Sequence, residues 1–570
     1  MRRMSKFRLC RSRAMPDLTA DIIIENARIL TMDEGLPRAD ALAIRGNRIL
    51  SVGARGDMGG LKAGHTRVID AAGATVLPGL IESHMHLFPG AVLLTRLNLA
   101  GITGFDAVAA AIRQRAAEEP GDGLLMVEQA HYGTFGEGVS ITRQVLDAVL
   151  PDRPLALMAG DHHTVWANTL ALKAAGLLQG LALPPGNEVV MGADGLASGE
   201  LREFLAFDPV VALTPTGGRE SLGLATGRWP KTPATPAERA ADKALLKRGL
   251  HHLARHGFTS FHAFDGDPYQ YELLAELEAE GALTVRARYP FRILPGMDMA
   301  EFALAEEWRR TCNSAFLKVD FIKMFMDGVL ESTTAAMLDD YCGHPGVKGE
   351  CLFEAGEYDA LCIEADRRGF QIAVHAIGDL AVRRTLDGYE AARRAHGARD
   401  ARHRVEHIET LDPADIGRFA DMGVIASFQP THAPGGAYPL EPLATLIGRE
   451  RMRTAYAWQT LRDTGARLAF SSDWPVAPID AMLGVKTAMT RAQAFDGAPD
   501  QRQGLMDTLA SFTRDNAFAA FEETEKGMLK PGMLADVTVL SGDIEAMQAE
   551  AIDTLKAAFT ICDGRVTFEG

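Results

Sequence analysis

Phe316-Leu317-Lys318-Val319-Asp320-Phe321-Ile322-Lys323-Met324-Phe325-Met326-Asp327-Gly328 is a mostly apolar run that reads as a buried strand. A lysine inside such a run must be paired, exposed at a strand end, or chemically altered. Lys318 and Lys323 are five positions apart and so face opposite sides of a regular strand. Lys318 stands at the start of the run and Lys323 near its end.

Moving outward, runs of the same style recur at 80–87, 258–264, 285–293, 319–327, 371–377, 404–409, 424–429 and 468–474. Amphipathic stretches separate them, among them 236–253, 358–368 and 380–394. Thr235 is a suitable N-cap for the first of these, with Pro236 at the first helical position. Eight strand–helix units predict an α/β fold of the TIM type, a (β/α)8 barrel whose active site lies at the C-terminal ends of its strands.

Two features depart from a bare barrel. Residues 21–78 look all-β, and short strand-like pieces return at 535–543 and 557–568. Neither end is enough for a stable sheet alone. The expectation is one composite β-sandwich domain, a small sheet domain built from 21–78 and 525–570, beside a barrel at 79–524. About 170 residues separate the first run from the second, too many for a structureless loop. An inserted subdomain is therefore expected at about 88–235, with strand-like pieces at 124–129 and 155–159 and a Pro/Gly/Thr-rich stretch at 208–235.

Composition narrows the function. The chain has 570 residues, 47% of them hydrophobic and 24% charged, which are ordinary globular values. A formal net charge of −16 supplies no broad basic face, so no nucleic-acid partner is expected. Six cysteines are scattered without a Cys-x-x-Cys pair, which fits reduced thiols in a cytoplasmic protein. Residues 1–20 begin with a basic stretch that lacks an apolar core and read as a disordered extension. No apolar run is long enough to span a bilayer, so no membrane association is expected.

The chemistry-bearing residues sit near the ends of the strand-like runs. His84 and His86 are two apart and face the same side of a strand. His375 and His407 end successive runs, and Asp473 follows the last one. Each has an ordinary reading, as a core histidine or as a turn or capping residue. Together they suit a divalent metal: Zn2+, with Fe, Co or Mn as substitutes. Two adjacent cations repel and need an anionic bridge, which Lys323 supplies if CO2 carboxylates it. Lys318, at the wrong end of its strand, is the weaker candidate. Asp473 is the candidate general base, taking a proton from water and handing it to a leaving nitrogen.

From about Asp21 onward the chain resembles the amidohydrolase superfamily. Pro78-Gly79-Leu80-Ile81-Glu82-Ser83-His84-Met85-His86 is similar to its first-strand motif, with Glu82 where aspartate is more usual. Gly527-Met528-Leu529-Lys530-Pro531-Gly532-Met533-Leu534-Ala535-Asp536-Val537 is similar to its C-terminal sheet signature. The residues from Lys323 to Ala336, His163-Thr164-Val165-Trp166-Ala167-Asn168 and Ser472-Asp473-Trp474-Pro475-Val476 resemble the amidohydrolase-3-type branch that includes N-substituted formamide deformylases. This resemblance implies metal ligands at His84, His86, Lys323, His375, His407 and Asp473, with none substituted.

Other positions carry two readings each. His163 and Trp166, in the insertion, are expected as substrate wall or as packing. Asp327 and Glu331 either contact substrate or cap the following helix. His131, His162 and His432 are surface residues or supports of the ligands. The segment 433–439 reads as a surface loop on the active-site face, with a lid as the alternative.

The expected activity is hydrolysis of a linear or N-substituted amide, a small-molecule substrate, at two Zn2+ ions bridged by carboxylated Lys323. A cyclic-amide hydrolase or a mononuclear deaminase is the alternative on the same fold. A non-catalytic scaffold or binding protein is the alternative from another class. Self-association into a homo-oligomer is left open.

Overall fold

The computed structural model describes residues 19–184, 186–434 and 443–570. The N-terminal extension through residue 18 and the loop residues 435–439 lie outside the described residues.

Eight parallel strands form a nearly closed barrel: β1 (Leu80–Met85), β2 (Phe258–Ala263), β3 (Arg286–Arg292), β4 (Leu317–Phe325), β5 (Gln371–Ala376), β6 (Arg404–His407), β7 (Ile425–Phe428) and β8 (Arg467–Phe470), paired in that order. β1, β2, β3, β5, β6 and β7 are buried along their whole length. That explains their near-continuous apolar sequence, since side chains pack both inside the barrel and against the outer helices. The run expected at 319–327 forms a strand two residues earlier, because Leu317 and Lys318 already pair with Ala287 and Arg288. Lys318 ends in an ion pair with Glu522, 2.6 Å away.

Closure between β8 and β1 depends on side chains. Asn516 Nδ2 donates to Ile81 O (2.7 Å) and to Phe470 O (2.8 Å), and Ser83 Oγ donates to Phe470 O (3.1 Å). At the mouth, the Asp473 amide donates to His84 O at 2.9 Å and the His86 amide to Trp474 O at 2.8 Å.

The helix before β2 runs Pro236–Arg255 and starts as its sequence predicts. Thr235 Oγ1 accepts from the Glu238 amide, and Glu238 returns a carboxylate oxygen to the Thr235 amide at 2.7 Å. Such reciprocal caps satisfy donors that the first helical turn leaves open.

Three further sheets surround the barrel. One has the order Arg565–Glu569, Ala557–Cys562, Val537–Leu540, Thr75–Pro78, Arg28–Leu30, Arg38–Ala39, and so joins strands from early and late in the chain. A four-stranded sheet of Arg48–Gly53, Ala41–Arg45, Ile22–Glu25 and Arg67–Asp70 packs near it. Ile24, Ile29, Leu42, Ile44, Val76 and Val537 share the core between them. The buried pair Arg286–Asp536, 2.9 Å, ties the first of these sheets to β3. Between β1 and β2 the chain builds a six-stranded sheet in which Leu125–Ala130 and Leu155–Ala159 pair in parallel. Among the described residues, no helix is long and apolar enough to cross a membrane.

Candidate metal centre

His84 and His86 leave the C-terminal end of β1 on one face, as period-two alternation requires. Asp473, two residues after Ser471, approaches from the end of β8. His84, His407 and Asp473 bring ligand atoms within 4.8 Å of one another, and His86 Nε2 lies 3.2 Å from Asp473 Oδ1. The His375 ring centroid is 4.5 Å from that of His407. Lys323 reaches the same region, its Nζ 4.7 Å from the centre of the Phe264 ring, on which His84 stacks at 3.7 Å.

His407 and Asp473 leave their strands with φ of 75° and 60°. Non-glycine residues held in this left-handed region carry strain of about 1–3 kcal/mol and concentrate at functional sites. Both side chains line the cavity at the barrel mouth.

Neighbouring groups fix which imidazole nitrogens are free. His84 Nδ1 donates to Glu406 Oε2 at 2.8 Å, leaving Nε2 3.4 Å from Asp473 Oδ1. His407 Nδ1 donates to Gln429 Oε1 at 2.8 Å. On the Nδ1 side of His86 stands Asp265, 3.7 Å away. His375 Nε2 donates to Gly328 O at 3.1 Å. A carboxylate or amide holding one nitrogen and freeing the other is how metal-binding histidines are oriented. Glu406 is itself clamped by Arg404, with Nε to Oε1 at 2.7 Å and Nη2 to Oε2 at 3.1 Å.

Electrostatics suit a cation-binding site. Burial holds His84, His375, His407 and the Lys323 amine well below their ordinary values, which favours their lone-pair-bearing forms, whereas burial at His86 is outweighed by Asp265 and Asp473, which lift the imidazole to about 9. Burial would raise the Asp473 carboxyl, but His84 and His86 pull it below the usual carboxylate range. Lys323 Nζ and Asp473 Oδ1 are both buried without a hydrogen-bond partner. Three or more imidazoles, a carboxylate and an unpartnered amine form a donor set that fits divalent metal.

A cavity of about 910 Å³ opens onto this cluster. His84, His86, His375, His407 and Asp473 line its floor. Trp166, His163 and Glu331 line its walls, as do His131, His162 and His432, which the sequence does not distinguish from surface positions or supports of the ligands. His163 Nδ1 is 2.7 Å from Glu203 Oε2; burial opposes its charge, but Glu203 outweighs it and lifts the imidazole to about 9. Burial, then Glu409 and Asp161, pushes Glu331 up to about 8.

Of the two readings for Asp327, substrate contact or helix cap, its surroundings fit the second. Its carboxylate is buried, does not line the cavity, and accepts from the amides of Ala336 (2.9 Å), Ile377 (3.0 Å) and Gly378 (2.8 Å). Gly378 caps the helix Asp379–His396, so Asp327 serves the positive end of that helix. Sequence reading missed Asp265, Glu406 and Gln429. Only Glu406 leaves a trace, because Arg404 and Glu406 are opposite charges two apart in a buried strand.

The chain is similar to known proteins. A family model described as the amidohydrolase family matches residues 67–568. The Arabidopsis thaliana protein LONG AFTER FAR-RED 3 is 30% identical over 535 residues, spanning 92% of this chain and 88% of that protein. The N-substituted formamide deformylase of Arthrobacter pascens is 26% identical, spanning 96% of this chain and 98% of its own. In fold, an uncharacterized metal-dependent hydrolase from Pyrococcus horikoshii superposes with a TM-score of 0.69 at 21% identity, covering 93% of this chain and 99% of the other.

Proposed function

The chain belongs to the amidohydrolase family, and from that premise we propose that it hydrolyses the C–N bond of a linear or N-substituted amide. The observation that carries this reading is the meeting of His84, His407 and Asp473, with His86 3.2 Å from Asp473, on the floor of a large cavity. In this reading His84, His86, His375, His407 and Asp473, together with a carbamate on Lys323, would hold two divalent ions, Zn2+ in the first instance. Bound there, the metal supplies Lewis acidity toward the amide carbonyl and toward water.

The protein's own groups do the rest. Asp473 takes the proton of the attacking water and returns it to the departing nitrogen. His163, its Nδ1 held by Glu203, turns an Nε2–H donor toward the cavity, where it can hydrogen-bond the carbonyl oxygen as negative charge grows there. Trp166, Phe204, Phe325, Leu224 and Tyr456 give the cavity apolar walls for a bulky substituent. The Arthrobacter pascens relative, spanning 96% of this chain, favours formamides among the amides to try. The strands from 21–78 and 525–570 act in this reading as one composite β domain that braces the barrel.

A panel of N-formyl and N-acyl compounds, incubated with zinc-loaded protein and followed by amine release, tests the proposal. Turnover of at least one open-chain amide is expected. Turnover confined to cyclic amides or to aminated heterocycles contradicts it.

A further inference from the structure

Arg292 is the last residue of β3 and pairs in register with Lys323 on β4. Residues in register on neighbouring parallel strands project from the same face of the sheet. Both side chains thus enter the barrel mouth, and both are buried, Arg292 at 5% exposure and Lys323 at 0%. They rest on one ring: the guanidinium carbon lies 4.1 Å and Lys323 Nζ 4.2 Å from the centre of Phe325.

The guanidinium is poorly satisfied. Nη2 has one long hydrogen bond, 3.5 Å to Leu224 O, while Nε and Nη1 have none. No carboxylate among the described residues forms an ion pair with it. Gly227, at φ 61°, closes over the side chain so tightly that a Cβ there would stand 2.5 Å from Arg292 Cβ. A sealed cation without a counter-charge is among the least favourable arrangements in a protein interior. An anion belongs beside it. Phe325 lines the substrate cavity and Arg292 stacks on Phe325 without lining the cavity itself, so the anion has to come from within the barrel. Lys323 is the neighbour in register.

We propose that Arg292 is the resident counter-cation of a carbamate on Lys323, a positioning residue that holds the carboxylated side chain in place. This rests on the reading of Lys323 given above. The neutral amine nitrogen attacks the carbon of CO2; an N–C bond forms, one C=O electron pair moves onto oxygen, and the nitrogen sheds a proton to solvent. The product carries one negative charge on two oxygens, which the guanidinium can meet as a planar fork through its unpartnered Nε–H and the weakly held Nη2–H beside it.

The test uses full-length, metal-loaded protein equilibrated with 13C-bicarbonate, with carbamate occupancy read from the 13C signal and metal content measured alongside. Arg292→Met is expected to need on the order of tenfold more bicarbonate for half occupancy, the scale of one or two charge-assisted hydrogen bonds. Arg292→Lys, which keeps the charge, is expected to recover most of the loss. In unsubstituted protein labelled with 15N-arginine, dipolar coupling should connect the carbamate carbon to a guanidinium nitrogen within hydrogen-bonding range. That measurement decides the matter if Arg292→Met does not fold. A carbamate present at wild-type occupancy in Arg292→Met, or lacking any guanidinium coupling, overturns the role of Arg292 alone. Unsubstituted protein without a carbamate signal overturns the reading of Lys323 and this inference with it.

Discussion

Asp473 Oδ1 stands 3.4 Å from one imidazole and 3.2 Å from another, at a residue whose own backbone is left-handed. Asparagine fills the same space and can still offer an oxygen, but it cannot accept a proton from water. Asp473→Asn is therefore expected to keep its fold while kcat falls about 10²–10⁴-fold. Thermal midpoint, metal content and kcat measured on one preparation check this; a metal-loaded variant with near wild-type turnover removes Asp473 as the base. A residue that only capped a turn would show a stability loss of about 0.5–2 kcal/mol and intact kcat. Glu406 acts one step further back, through His84. Glu406→Gln leaves an acceptor for His84 Nδ1 but no charge for Arg404, and metal should bind about 10–100-fold more weakly. Competition with a calibrated chelator reads that directly, and unchanged affinity would count against a positioning role. His84, His86, His375, His407 and Asp473 could be picked out in the sequence because they stand at or just past the ends of apolar runs. Asp265 and Gln429 could not, because their roles come from His86 and His407, which only the fold brings beside them.

Elements were readable where local chemistry is strong and obscure where closure is long-range. The eight apolar runs and the Thr235–Glu238 cap follow from neighbours in sequence. The β8–β1 seam does not, since its staple, Asn516, lies in the short helix Arg514–Ala519, far past the last barrel strand. Nothing in Thr513-Arg514-Asp515-Asn516 hints that one amide serves two strands. Asn516→Ala deprives two buried carbonyls, Ile81 O and Phe470 O, of a donor. Phe470 O keeps its bond from Ser83 Oγ, so one carbonyl is left short and the loss should be about 1–3 kcal/mol. Urea unfolding monitored by fluorescence tests this; a change under about 0.5 kcal/mol, the scale of ordinary surface substitutions, would mean that the seam is held by Ser83 and the mouth contacts alone.

Across the whole molecule, the insertion, the barrel and the candidate metal ligands meet at one cavity, so removing metal should be felt beyond those ligands. Exhaustive chelation is expected to abolish turnover and lower the thermal midpoint, and Zn2+, Co2+ or Mn2+ should restore both. A ligand at a hundred times its dissociation constant stabilises a fold by about 2.7 kcal/mol, enough to see in a melting curve. Full activity in protein shown to be metal-free by elemental analysis would contradict a metal-dependent mechanism. The sheet in which Thr75–Pro78 pairs with Val537–Leu540 has one more consequence, for how the protein is made. Thr75–Pro78 leads directly into β1, yet its partner lies some 460 residues downstream. At about 5–20 residues per second on the ribosome, roughly half a minute to a minute and a half passes before that partner is translated. Through that interval the growing chain carries an unpaired strand edge, the kind of edge that invites mispairing before synthesis is finished.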